Sequence, residues 1–268
     1  MRLIVMEALM LRGYADTSLG QVHYLEQGSG EPLVLLHQTA DSSRMYTEVF
    51  PCLAERFRVI APDTPGFGDS DKPSEPPGIE GYARALAEFL DSLGIPRTHL
   101  LGHHTGASIA VEFAATYPDR VIKLVLSGCP DYDPEVRPQK IATSAQPAPI
   151  EADGSHLLRA WQRVSAGMKE WATLEQIHRS VVDTLKAGPN FYFAYLAVFT
   201  QDVRTRIPRI TAPTLLMSGE TDLFVDRQEQ LRPLFKQAET YVFRGAGALT
   251  MMQRPEEFCR VVTDFLTR

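Results

Sequence analysis

The residues of this sequence that could do chemistry lie in a short turn, Gly102-His103-His104-Thr105-Gly106, between an apolar segment and a helical one. A glycine on each side of residue 104 permits the close backbone approach of a very tight turn. Such a turn projects His104 outward, and the amides that begin the next helix favour an anion beside it. Because imidazole titrates near neutral pH, His104 is predicted to be a general acid/base.

The elements that must position this turn alternate short β-branched runs with helical patterns, which is typical of a mainly parallel sheet covered on both faces. Predicted strands cover 21–28, 32–37, 58–63, 99–103, 121–128, 214–220 and 240–245, and the first two are expected to form an opening hairpin. Predicted helices cover 79–94, 105–118 and 255–268.

One region breaks the alternation. Residues 131–208 start Pro-rich, contain many aromatic residues and show no pattern of a buried strand. An insertion this long is predicted to form a helical cap, or lid, over the site. The predicted domains are therefore a core of 1–130 and 209–268 and a cap of 131–208.

Composition limits the class of protein. The chain has 268 residues and a formal net charge of −6, and no basic stripe suggests a nucleic-acid partner. The apolar run Leu3 to Met6 is too short for a signal segment, and the apolar stretch 191–200 is too short to cross a membrane. Three widely spaced cysteines favour reduced, buried thiols in a cytoplasmic protein. The expected partner is a small-molecule substrate, with neither nucleic acid nor membrane, and a homodimer is left open.

The chain resembles the α/β-hydrolase superfamily over almost its whole length. The turn at 102–106 occupies the place of the family's nucleophile elbow, G-x-S-x-G. Further similar segments occur in family order, namely PLVLLHQTADSS (32–43), APDTPGFGDSDKP (61–73), PDRVIKLVLSG (118–128), APTLLMSGETD (212–222) and FRGAGALTMMQRPEEF (243–258). The resemblance implies an α/β fold with a mostly parallel eight-stranded sheet, flanking helices and a helical cap between strands 6 and 7.

Two positions depart from the family pattern. His104 stands where relatives carry Ser, Cys or Asp, and Ala248 stands where they carry the general-base histidine. No histidine follows His178, so the order Ser…Asp…His cannot be completed. Serine-esterase chemistry is therefore excluded, and so are the family's aspartate-nucleophile reactions.

The vacated volume at Ala248 suggests that His104 leans across the site toward a carboxylate. Asp222 follows the strand that usually presents the family's catalytic acid, and Asp131 is the alternative orienting group. Such a carboxylate would fix the tautomer and raise the basicity of the other ring nitrogen.

The resemblance also suggests an oxyanion hole. Its expected donors are the amides of Thr105 and Thr39, with the side-chain amide of Gln38 or the Thr39 hydroxyl as a further donor. Adjacent histidines lack the spacing of a metal pair, so neither metal nor cofactor is predicted. Candidate substrate-binding residues, mainly in the predicted cap, are His156, Tyr132, Trp161, Phe191 and Tyr195.

The resulting hypothesis is a cofactor-independent, non-serine hydrolase or lyase that uses His104. Its reaction would be hydrolysis of an ester, lactone or β-dicarbonyl, or proton transfer in C–C cleavage, decarboxylation or cyclisation. The aromatic cap indicates a moderately large, apolar or aromatic substrate. Two alternatives stay open: a ligand-binding protein without turnover, and an ordinary hydrolase with engineered substitutions at 104 and 248.

Overall fold

The computed structural model describes residues 10–168 and 170–268, and its centre is one eight-stranded sheet. The strands are Leu11–Thr17 (β1), Gly20–Gln27 (β2), Glu31–Leu36 (β3), Phe57–Pro62 (β4), Thr98–His103 (β5), Val121–Ser127 (β6), Thr214–Gly219 (β7) and Ala238–Phe243 (β8). Their spatial order is β1-β2-β4-β3-β5-β6-β7-β8. From β4 to β8 neighbouring strands are parallel, whereas β2 is antiparallel to both β1 and β4. This confirms the predicted sheet.

The prediction that the strands at 21–28 and 32–37 form an opening hairpin is wrong. β2 pairs with β1, and β3 runs parallel between β4 and β5. β1 escaped prediction because Leu11 and Tyr14 are 59% and 56% exposed, so this edge strand lacks a buried apolar alternation.

The helices before the long insertion and after it flank the sheet. They are Phe50–Ala54 (α1), Gly78–Ser92 (α2) and Thr105–Thr116 (α3), and later Arg227–Leu231 (α9), Thr250–Gln253 (α10) and Pro255–Thr267 (α11). Between β6 and β7 lie Arg137–Ser144 (α4), Ser155–Met168 (α5), Leu174–Ala187 (α6), Tyr192–Thr200 (α7) and Val203–Arg206 (α8). The division into a core domain and a cap domain stays a prediction.

Two apolar cores lie on the two faces of the sheet. Val34 and Leu36 of β3 pack into the core beneath α2 and α3, whereas Leu33 and Leu35 pack into the core beneath α1 and α11. Alternate residues of one strand thus serve opposite faces, as the period of a β-strand requires. Central strands buried on both faces are continuous apolar runs, which explains why they could be read from the sequence.

A buried polar contact fastens the inserted helices to the loop after β3. Asp183 of α6 accepts a hydrogen bond from Ser42 at 2.8 Å and pairs with Arg44 at 3.1 Å. Asp183 is buried, so its carboxylate needs these partners. The contact fixes α6 above the C-terminal edge of the sheet.

The expectation of three free thiols is wrong. Cys52 of α1 and Cys259 of α11 form a disulfide, with their Cα atoms 6.3 Å apart, and Cys129 is free and buried. The two sulfurs meet because α1 and α11 pack against each other, 207 residues apart in the chain.

The apolar run Leu3 to Met6 lies outside the described residues. Within 10–168 and 170–268, the helices are all too short or too polar to span a bilayer.

Candidate functional site

The turn that carries His104 joins the end of β5 to the start of α3. His104 has φ 46° and ψ −110°, a positive φ that a non-glycine residue seldom adopts. A Cβ on Gly102 would overlap the backbone of Gly106, and a Cβ on Gly106 would overlap Leu36 of β3. The two glycines therefore let α3 start directly against the sheet and hold the strained residue at its edge.

The imidazole of His104 contacts a buried carboxylate. Its Nε2 lies 3.0 Å from Oδ2 of Asp222, in the turn after β7. The other oxygen, Oδ1, accepts the Phe224 amide at 2.7 Å. Burial opposes ionisation of Asp222, but the hydrogen bond and the charges of the histidines outweigh it, so the pKa of Asp222 is lowered.

Because an ionised carboxylate only accepts, the proton of the neutral His104 ring belongs on Nε2. Nδ1 is then the basic nitrogen, because the hydrogen bond of the ring to Asp222 is made through Nε2. The side chain of His104 is 21% exposed. The edge-on ring of Phe224, with its centroid 5.3 Å away, supports the imidazole from one side.

His103 supports the other side of the ring. Its imidazole stacks on that of His104 with centroids 4.1 Å apart, and its Nδ1 lies 3.0 Å from the hydroxyl of Ser127. Burial, and then the charge of His104, hold the pKa of His103 well below its ordinary value. His103 is therefore a neutral ring stacked on that of His104.

Asp131, the other predicted orienting carboxylate, is engaged elsewhere. Both its oxygens accept from Arg204, with distances of 2.6–3.1 Å, and Arg227 lies 3.7 Å from it. The ring of His104 thus contacts Asp222, and Asp131 anchors the end of the inserted segment instead.

The predicted oxyanion donors lie near one another, but all except the Thr105 amide already make hydrogen bonds within the protein. The Thr39 amide donates to the Thr105 hydroxyl at 3.3 Å, and the two hydroxyls lie 2.9 Å apart. The Gln38 side-chain amide donates to Asp41 at 2.7 Å. The Thr105 amide, in the first turn of α3, is the donor that helix geometry leaves free for an incoming oxyanion.

A cavity of about 330 Å³ lies between the loop after β3 and the inserted helices. Its lining includes Gln38, Thr39, Tyr195 and Ala248, so the position vacated by the usual histidine opens into it. Tyr195 also approaches the Thr39 carbonyl with its hydroxyl at 3.4 Å. Thr39 in its wall contacts Thr105 of the elbow, whereas Thr105 and His104 themselves do not line the cavity. The volume is large enough for a ring-sized substrate.

The other predicted substrate-binding residues do not converge there. His156 and Phe191 line a second cavity of about 420 Å³ within the inserted segment, which shares Arg163 and Thr184 with the first. Trp161 lines an open groove further out. Tyr132 packs edge-on against Phe224, with ring centroids 5.3 Å apart, and so reaches His104 only through that ring.

Asp41 was missed by the sequence interpretation. It lines the first cavity and is only 5% exposed. The available signal was an acidic residue within the loop that the family resemblance assigns to oxyanion binding.

One group among the described residues has the spacing of metal ligands, namely His23, Asp63 and Asp69. His23 Nδ1 lies 2.8 Å from Asp63, whose oxygens also accept backbone amides from Ser43 and Asp69. These contacts satisfy the carboxylate within the protein. The group lies apart from the elbow histidines, and the absence of a metal stays a prediction.

Comparison with known proteins gives a consistent picture. A sequence model of the family described as alpha/beta hydrolase fold matches residues 31–255. The chain is 30% identical to 2-hydroxy-6-oxononadienedioate/2-hydroxy-6-oxononatrienedioate hydrolase 1 of Dechloromonas aromatica, over 92% of this chain and 91% of that one. It is 28% identical to 2-hydroxy-6-oxo-6-phenylhexa-2,4-dienoate hydrolase of Comamonas testosteroni, over 94% and 93%. A crystal structure of a hydrolase from Pseudomonas aeruginosa PA01 shares the fold, with a TM-score of 0.82, 23% identity and coverage of 96% and 98%.

Proposed function

The chain belongs to the alpha/beta hydrolase fold family, and on that premise we propose that it is a cofactor-independent hydrolase in which His104 is the general acid/base. The observation that carries the proposal is the 3.0 Å contact between His104 Nε2 and the buried Asp222 carboxylate. It leaves Nδ1 as the basic nitrogen of a ring held at the sheet edge. A dyad of this kind needs no serine.

The dyad supports activation of water. Nδ1 of His104 takes a proton from water as the oxygen adds to a substrate carbonyl, and Asp222 stabilises the imidazolium that forms. The Thr105 amide at the start of α3 donates a hydrogen bond to the carbonyl oxygen as negative charge develops on it. The imidazolium then returns the proton to the leaving carbon or oxygen as the bond to the carbonyl carbon breaks.

The substrate class follows from the relatives and the cavity. The Comamonas relative is named as a hydrolase of a 2-hydroxy-6-oxo dienoate, and the Dechloromonas relative as a hydrolase of a 2-hydroxy-6-oxo dienedioate and trienedioate. The 6-oxo group of each named substrate is a carbonyl. The cavity beside Thr39 and Ala248 is large enough for a substrate with one ring, and the aromatic side chain of Tyr195 forms part of its wall. We therefore favour hydrolysis of a C–C or C–O bond next to a carbonyl, in a moderately large substrate with an apolar or aromatic part.

The test is a turnover screen over β-diketones, 2-hydroxy-6-oxo dienoates, lactones and aryl esters. His104→Gln retains a polar side chain but cannot accept a proton at neutral pH, so turnover should fall by about 10²- to 10⁴-fold. The matched control is His178→Gln, at an exposed histidine of α6, which should keep the wild-type rate.

Equal rates in His104→Gln and the wild type would remove the imidazole from the mechanism. If the wild type binds these compounds and turns over none, the chain is a ligand-binding protein and not a hydrolase.

A further inference from the structure

The aspartate at position 41 differs from the other buried aspartates in its partners. Each of the others contacts an arginine or a histidine: Asp63 with His23, Asp131 with Arg204, Asp183 with Arg44 and Asp222 with His104. The described hydrogen-bond partners of the Asp41 side chain are neutral, namely the amide of Gln38 at 2.7 Å and the hydroxyl of Ser180.

A buried carboxyl with neutral partners is costly to ionise, because the charge has lost its water and gained no opposite charge in contact. Asp41 also lines the cavity that Thr39, Tyr195 and Ala248 share, so a bound substrate can reach its carboxyl group. A carboxylic acid can act as a proton donor where burial keeps it protonated and where the substrate can reach it. Asp41 is buried without a cationic contact and lines the cavity.

We propose that Asp41, in its protonated form, donates a proton to the substrate carbonyl oxygen while His104 takes a proton from the attacking water. The inference rests on the proposed function and adds a second catalytic residue to it. Thr39 and Asp41 line the same cavity, and the Thr39 hydroxyl contacts the hydroxyl of Thr105, the residue that directly follows His104.

Electrostatics at the site support this assignment. Burial raises the pKa of Asp41, and the opposing effects of Gln38, His37, Ser180 and Arg179 reduce the rise without cancelling it. The other charged or titratable groups that interact with Asp41 or line the same cavity are Asp183, Tyr46, Tyr195 and Arg163. Arg179 is already paired with Glu48 at 2.6 Å, so it neutralises Asp41 only in part.

The proton balance of the step closes. The water oxygen bonds to the carbonyl carbon, one water proton goes to Nδ1 of His104, and the Asp41 proton goes to the carbonyl oxygen. The products are a neutral adduct, an imidazolium and the Asp41 carboxylate. When the adduct collapses, the imidazolium proton goes to the leaving group and the hydroxyl proton returns to Asp41.

The variant that tests the step is Asp41→Asn, which keeps the shape and the contacts to Gln38 and Ser180 but has no acidic proton. We expect kcat to fall by about 10²-fold. We also expect the alkaline limb of the pH–rate profile to disappear, because that limb reports ionisation of the acid. The matched control is Asp183→Asn, a nearby buried aspartate paired with Arg44, which should lower stability and keep the alkaline limb.

A second measurement needs no substrate. The ¹³C carboxyl resonance that Asp41→Asn removes should titrate above the ordinary range of aspartate. Since a raised folded pKa makes the wild type lose stability as pH rises through it, the melting temperature of Asp41→Asn should rise relative to wild type over that interval.

These readouts separate this inference from the proposed function. A resonance that titrates in the ordinary range overturns the inference even if His104 proves essential. A retained alkaline limb in Asp41→Asn overturns it too. If the turnover screen fails, the proposed function falls, and the proton-donor role of Asp41 falls with it, whatever the resonance shows.

Discussion

At the scale of single residues, the site depends on which carboxylate holds the imidazole of His104. The sequence predicted that a carboxylate orients His104 and left Asp222 and Asp131 as the alternatives. The choice could not be made from the chain, because it depends on Arg204, which comes from α8 and occupies Asp131. Asp222 is left facing the ring across the edge of the sheet.

Another buried aspartate gives the clearest pH dependence. The pKa of Asp63 is lowered to about 2, because the bond to His23, the charge of His37 and two backbone amides outweigh burial. A depressed folded pKa contributes stability above the unfolded pKa of about 4, and this contribution is lost as pH falls toward 2. Its size is about 2 kcal/mol.

Asp63→Asn should therefore lower the free energy of unfolding at neutral pH, and the deficit should shrink between pH 4 and pH 2. Urea titrations across that range measure it, with the exposed Asp119→Asn as the control. A deficit that stays constant down to pH 2 would contradict the assignment.

At the scale of elements, the turns at the carboxyl ends of β5, β6 and β7 bring the site together. The G-x-x-x-G spacing at 102–106 predicted the first turn correctly, because its glycines are needed to seat α3 against β3. The importance of Gly128, directly after β6, was not visible in the sequence. Its φ is +57°, and a Cβ there would lie 2.5 Å from Cδ2 of His104.

Gly128→Ala should therefore push the His104 ring from Asp222 and reduce turnover about 10-fold or more, with the fold intact. Gly94→Ala is the matched control, because Gly94 has a similar φ of +64° and no atom within 4 Å of its Cβ position. Both variants place an alanine at positive φ, which costs about 1–2 kcal/mol in each. Turnover and melting temperature measure the two effects, and equal turnover in both variants would count against steric control of the ring.

At the scale of the whole molecule, most of the architecture could be predicted from alternating strand and helix patterns. Central strands such as β3 and β7 were predictable because both faces are buried and each contains a continuous apolar run, 33–36 and 215–217. β1 could not be predicted, because this exposed edge strand has no continuous apolar run. The contact between Cys52 and Cys259 could not be predicted from the sequence, because it depends on how α1 and α11 pack.

The disulfide makes a simple prediction about the isolated protein. Thiol titration in denaturant without reductant should find one reactive thiol, that of Cys129, and three after reduction. Cys129→Ser should abolish the first signal and leave two thiols after reduction. Three thiols before reduction would show that Cys52 and Cys259 are in contact but not bonded.

The stacked imidazoles of His103 and His104 limit how much positive charge the elbow can hold. With His103 buried and neutral, the two rings together can store a single proton between steps. A reaction that must protonate two substrate atoms before releasing product has to draw the second proton from a separate reservoir.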